Sequence, residues 1–278
     1  MFPILIDAGR HDLPLLGETR LFLPTYGVLF AAGVVLAWVW FIRRTRGMGL
    51  PEERLFNLTF YSVLAGIIGA KLLLIAIDWR VYLSNPGEIL GTLRSAGVLM
   101  GGVFAAAITF YVYCQRQGLP VWKLADAVAA PLVFAQAVGR LGCHSAGCCW
   151  GVGVDAGHPL AVVFRDPRAR EQTGVPLDTP LFATQLTEMA FDALLAVALT
   201  LIWRRGVRPA GTVFWIYVLA YSVGRGVIEL WRGDVHRGLF FGGAVSTSQL
   251  IAAATAAVAL AALIRGRGVL ARDHAEAR

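Results

Sequence analysis

Charge is scarce in this chain. Asp, Glu, Lys and Arg make up 15% of its 278 residues, whereas soluble domains carry about 25%. With 57% hydrophobic residues and a mean hydropathy of +0.63, that shortfall excludes a soluble globular domain and a disordered chain. Cysteine is also sparse: the four residues, Cys114, Cys143, Cys148 and Cys149, are too few for a disulfide framework. No RNA- or DNA-binding motif accompanies the net charge of +7, so no nucleic-acid partner is expected. Met1–Arg20 lacks the basic start and small-residue cleavage site of a signal peptide, and the first apolar run is expected to stay as an anchor. There is no internal repeat.

What the chain has in quantity is long apolar runs. A hydrocarbon core of about 30 Å takes about 20 apolar helical residues to cross. Seven segments are read as spans: Leu21–Ile42, Leu58–Ile77, Ala96–Cys114, Leu124–Val138, Phe182–Trp203, Gly211–Leu230 and Val245–Ile264. The fourth is short and contains Asp126 and Pro131, which suggests tilting or a break. The fold class is therefore an all-α polytopic membrane protein in a lipid bilayer, forming a single membrane domain over residues 1–278. A Gly- and Pro-rich external segment is expected at about 140–181, and a frayed tail at 265–278. One set of loops holds 13 Lys and Arg in about 42 positions and the other 10 in about 95. The denser set belongs in the cytoplasm, which puts the N-terminus outside.

Ionisable side chains at membrane depth cost about 2.5–3.5 kcal/mol on insertion scales and usually face a polar cavity. Lys71, Asp126, Glu188, Asp192, Arg225 and Glu229 are of this kind. Tyr221, Arg225 and Glu229 lie at i, i+4 and i+8 and so share one helix face, with Arg232 at its outer end. Glu188 reads either as a helix-start carboxylate or as a group lining a cavity.

A second constellation is Gly139-Arg140-Leu141-Gly142-Cys143-His144-Ser145-Ala146-Gly147-Cys148-Cys149-Trp150-Gly151. Read as a glycine-rich loop, its backbone N–H groups beside Arg140 suit a phosphate or other oxyanion; the bland alternative is a tight turn whose glycines serve packing. Cys143, Cys148 and Cys149 admit a staple by a disulfide from Cys143, a redox role, or metal binding. The spacing lacks the separated pairs of zinc sites, so no metal and no cofactor is expected. His144 is either a general base or a loop hydrogen-bond donor. Gly97-x3-Gly101 reads as close helix packing, and Tyr26 as an interfacial anchor.

From Tyr26-Gly27 to Asp234, these motifs resemble the prolipoprotein diacylglyceryl transferase family of bacterial inner membranes. The Gly139-Arg140-Leu141-Gly142 … Gly147 … Trp150-Gly151 run is similar to that family's signature loop. Tyr221-x3-Arg225-x3-Glu229-x2-Arg232-x-Asp234 is similar to its sixth helix, and Thr184-Gln185-Leu186-x-Glu188 to the end of its HP(S/T)QLYE stretch. The chain departs from the pattern at Cys143 (usually Asn), Cys148 (usually acidic), Met100 (the family's histidine), Phe182-Ala183 (His-Pro) and Lys71 (often Arg). The resemblance implies transfer of the diacylglyceryl group of phosphatidylglycerol to the thiol of a prolipoprotein lipobox cysteine, with glycerol phosphate leaving, at a site toward the outer face of the inner membrane. It implies Arg140, Arg225 and Glu229 as catalytic residues and Tyr26, Tyr221, Gly139, Gly142, Gly151 and Glu188 as substrate-binding; with the family's histidine missing, His144 is the replacement candidate for the catalytic base, with Glu188 second. A membrane thiol oxidoreductase using Cys143, Cys148 and Cys149, or a lipid-handling homologue with another substrate, is the alternative.

Overall fold

With no water in the bilayer core, a spanning chain must satisfy its backbone polar groups internally, and the long apolar runs are accordingly helical. The computed structural model describes residues 3–13, 17–85, 87, 97–206, 209–234, 238–240, 243 and 245–276. It begins with an antiparallel hairpin, β1 (Ile4–Leu13) and β2 (Gly17–Pro24). Then come α1 (Thr25–Thr45), α2 (Glu52–Ile77), α3 (Trp79–Ser84), α4 (Leu99–Arg116) and α5 (Val121–Ala146). A small lobe follows, with β3 (Ala161–Val163), α6 (Pro167–Thr173) and β4 (Pro180–Phe182). The chain ends with α7 (Thr184–Arg204), α8 (Thr212–Ile228), the short pair β5 (Leu239–Phe240) and β6 (Val245–Ser246), and α9 (Thr247–Glu276).

Among the described residues, six helices are long and apolar enough to cross a membrane: those at Thr25–Met48, Glu52–Ile77, Val121–Ala146, Thr184–Arg204, Thr212–Trp231 and Thr247–Gly266. The remaining expected span, Ala96–Cys114, whose first residue lies outside the described residues, is helical from Leu99 in the 18-residue α4, which ends in the polar pair Gln115-Arg116. The protein is a mostly helical, polytopic membrane protein.

Two expectations are corrected. The fourth span is neither short nor broken: α5 runs for 26 residues straight through Pro131. The segment from Gly139 to Ala146 is the end of that helix and not a loop, so its backbone N–H groups are engaged in helical bonds, and the turn begins at Gly147. The last helix, α9, extends to Glu276. Ala277 and Arg278, the end of the expected tail, lie outside the described residues.

The chain divides into two compact units, Met1–Trp40 with Ala125–Arg278, and Phe41–Leu124. In the second, α2 and α4 meet through small residues. A Cβ at Gly97 would lie 2.9 Å from the Ala70 carbonyl oxygen, and one at Gly102 would lie 2.8 Å from that of Gly66, so glycine permits the backbones to approach. The first unit has its core where Ala129, Ala130 and Val133 of α5 meet Leu195, Ala196 and Leu199 of α7 and Val213 and Tyr217 of α8. A smaller cluster, Phe164, Ala169, Val175 and Leu181, fills the lobe.

Asp126 is accounted for by this packing. From α5 its Oδ2 accepts from Gly211 N at 2.7 Å and its Oδ1 from Phe214 N at 2.8 Å. These are amides at the start of α8 that no helical carbonyl reaches. The buried carboxylate thus caps a neighbouring helix. Asp126→Ala is expected to destabilise the protein by about 0.5–2 kcal/mol, the usual size for a lost N-cap, read as a lower midpoint in thermal unfolding in detergent. An unchanged midpoint would deny the cap.

Candidate active site

The last turn of α5 sets the site. Gly147 sits at φ +78°, a left-handed conformation that glycine adopts without strain. Cys148 N donates to Cys143 O at 3.1 Å and Gly147 N to His144 O at 3.3 Å. This is the Schellman pattern of helix termination. It folds the chain back so that Cys148 overlies Cys143. Cys149 is then also left-handed, at φ 61°, an uncommon conformation for a residue with a side chain.

The start of α7 grips this turn. Thr184 Oγ1 donates to Cys149 O at 2.6 Å, and Gln185 Nε2 to Cys148 O at 2.8 Å. On the far side, residues 151–153 lie as an extended strip between two others: Gly151 bridges Arg232 and Gly153 bridges Leu181. A Cβ at Gly151 would come within 2.9 Å of Trp231 O. Glycine is required there for backbone packing. Gly142 has a similar part, since a Cβ there would meet Tyr26 Cδ2 at 3.1 Å. Gly139 differs: open space surrounds the position its Cβ would take.

One turn into α7 is Glu188, and it is the centre of the site. Its Oε2 lies 2.8 Å from Arg140 Nη1 and its Oε1 lies 3.3 Å from Arg225 Nη1. Arg225 Nη1 also lies 2.5 Å from Glu229 Oε2, and its Nη2 donates to Ser248 Oγ at 3.3 Å. The Glu188 and Glu229 side chains are 4% and 1% exposed and both arginines 16%, so these charges are held away from water. Burial of this kind is tolerated only when charges are paired. Tyr221 and Asp192 are within electrostatic reach of Arg140, Glu188 and Arg225. Tyr26 is within reach of Arg140 and of all three clustered cysteines. Arg232 makes a two-pronged contact with Asp234, at 2.7 and 2.6 Å.

The sulfur atoms of Cys143, Cys148 and Cys149 lie within 4.8 Å of one another. All four cysteines are free, and hydrogen bonds hold the shape of the turn. Hydrogen bonds with Cys143 and Cys148 hold the Cys149 thiol below its ordinary range against the opposing effect of burial, and Arg232 and Arg140 act in the same direction. Cys114 is buried in the second unit. The ring of His144 stands edge-on to Phe164 at 6.0 Å, and among the described contacts none joins it to the arginines.

The structure therefore brings together Tyr26, Arg140, the three cysteines, Glu188, Tyr221, Arg225 and Glu229. Asp192, one turn beyond Glu188 and buried, belongs with them, as its i+4 spacing foretells. Thr184 and Gln185 grip the turn through main-chain carbonyls, for which residue types alone gave no signal.

These features define a class: a polytopic membrane protein with paired guanidiniums and a thiol-lined turn at the end of a spanning helix. The family described as Prolipoprotein diacylglyceryl transferase matches residues 16–265. The chain belongs to the prolipoprotein diacylglyceryl transferase family. It is 35% identical over 226 residues to the phosphatidylglycerol–prolipoprotein diacylglyceryl transferase of Clostridium tetani (strain Massachusetts / E88), covering 81% of this chain and 86% of the relative. It is 30% identical over 228 residues to transferase 2 of Clostridium perfringens (strain 13 / Type A), covering 82% and 84%. The transferase of Lysinibacillus sphaericus (strain C3-41) is 27% identical over 242 residues, covering 87% of each chain.

Removing Glu188 tests the charge network. Glu188→Ala leaves two buried guanidiniums facing each other without their shared carboxylate. It is expected to destabilise the protein by about 3–5 kcal/mol, the usual cost of breaking a buried pair from one side, as measured by unfolding in detergent. A variant as stable as the parent would contradict the network.

Proposed function

We propose that the protein transfers the diacylglyceryl group of phosphatidylglycerol to the thiol of a prolipoprotein lipobox cysteine. The observation that supports this best is the convergence of Arg140 and Arg225 on the two oxygens of Glu188. Guanidiniums held one on each side of an anionic group are arranged to grip a second oxyanion, because each carries five N–H donors in a fixed fork.

In the transfer, the acceptor sulfur attacks the methylene of the diacylglyceryl group. The C–S bond forms as the C–O bond to phosphate breaks, and glycerol phosphate leaves with the electron pair. Negative charge grows on the departing phosphate oxygen, where Arg140 and Arg225 stabilise it. Glu188 and Glu229 are positioning residues: they keep the guanidiniums aligned between turnovers. Tyr26 and Tyr221 supply hydroxyl donors to the headgroup. The open space beside Gly139 admits the lipid next to Arg140. Thiolate formation is not assigned to His144, whose ring is turned to Phe164. Both substrates are amphiphiles and enter sideways between helices. The positive-inside reading puts this site toward the outer face of a bacterial cytoplasmic membrane.

The test is a defined assay: purified protein, phosphatidylglycerol vesicles, a lipobox peptide, and mass spectrometry for the thioether product. Arg140→Lys and Arg225→Lys retain charge but lose the two-pronged fork. Each is expected to slow transfer by about 10²–10³-fold, the usual effect of losing a donor to a developing oxyanion, while the protein stays folded. Full activity in the double variant would overturn the reading.

A further inference from the structure

We propose that Cys143, Cys148 and Cys149 bind a zinc ion through three thiolates and leave its fourth position for the sulfur of the acceptor cysteine. The inference rests on the transferase reading above, and it supplies what that reading lacks, a means of making the acceptor thiol nucleophilic.

The spacing C-H-x3-C-C gave no zinc pattern because the site is assembled by backbone geometry. The Schellman turn returns Cys148 to Cys143, with Cys148 Sγ at 3.6 Å from Cys143 O. The left-handed Cys149 then turns its side chain to the same place. Thr184 and Gln185 fix the two carbonyls from α7. Zinc–sulfur bonds of about 2.3 Å at tetrahedral angles put sulfurs about 3.8 Å apart. The three Sγ atoms, all within 4.8 Å of one another, need to close by about 1 Å at most to reach that value, a movement that small rotations about the side-chain bonds provide.

Charge and ligand number fit as well. Three thiolates on Zn²⁺ carry a net charge of −1, which Arg140, at i−3 of Cys143 on the same helix face, favours. Arg140 and Arg232 are both within electrostatic reach of Cys149. Three protein ligands with an open fourth position mark a catalytic zinc, whereas four closed ligands mark a structural one. A thiol that coordinates the ion gives its proton to solvent and binds as thiolate. When that sulfur forms its C–S bond it becomes a neutral thioether, a weak ligand, and leaves the metal as glycerol phosphate departs. A disulfide between two of the three cysteines would strand the third, and no second dithiol lies in this unit.

The experiment uses full-length protein purified in detergent. Elemental analysis of the wild type is expected to give about one zinc per chain, falling several-fold in Cys149→Ser and in the triple Cys→Ser variant. Co²⁺ added to chelator-treated protein should develop thiolate-to-cobalt charge-transfer absorption. A lipobox peptide should alter that spectrum, and the same peptide with serine for cysteine should not. Chelation should abolish thioether formation, and Zn²⁺ should restore it. Transfer that persists in metal-free protein overturns the zinc proposal while leaving the transferase reading intact. Cobalt binding and peptide response without any transfer support the metal site and sink the transferase reading. Absence of zinc with a cysteine disulfide in mapped peptides overturns the proposal in favour of a redox role.

Discussion

A carboxylate shared by two guanidiniums is the constraint on which the rest of the site depends. Arg140 and Arg225 come from different helices, α5 and α8, and each alone would be costly at membrane depth. Glu188, from a third helix, neutralises one with each oxygen. Three spans are thereby registered against one another at one level. Glu229 and Ser248 complete the coordination of Arg225, so its guanidinium is fixed in orientation as well as charge. Such pairing seldom adds net stability over apolar packing. In the proposed transferase reading, the pairing serves the ligand that the two guanidiniums grip together.

The same helix, α7, performs a second task one turn earlier. Thr184 and Gln185 hold the Cys148 and Cys149 carbonyls, and Glu188 holds the arginines. The thiol turn at the end of α5 and the guanidinium pair on α5 and α8 are therefore both held by contacts from one helix. This coupling suits a reaction in which a sulfur nucleophile and a phosphate leaving group must sit on opposite sides of one carbon, since reacting atoms need alignment within a few tenths of an ångström to gain the full advantage of proximity.

Much of this was legible in the chain. Uncharged runs of about 20 residues announced the helices, and the i, i+4, i+8 spacing of Tyr221, Arg225 and Glu229 announced one polar face. The continuation of α5 through Gly139 to Ala146 was not legible, because glycine marks loops in water but is accepted within helices where a neighbour such as Tyr26 must come close. The hairpin of β1 and β2 escaped notice, since an N-terminal segment before an apolar run carries little pattern of its own. Glu188 looked secondary because its partners are 48 and 37 residues away in sequence. The clustering of three thiols depends on a hydrogen-bonded turn and two left-handed residues, which sequence spacing conceals.

The most direct measurement is an experimental structure of the protein with phosphatidylglycerol bound in lipid nanodiscs. The account predicts the lipid phosphate within hydrogen-bonding distance of both the Arg140 and Arg225 guanidiniums, with the glyceryl methylene on the side facing the three cysteines. A headgroup seated away from those two side chains, with Glu188 still locked between them, would contradict it.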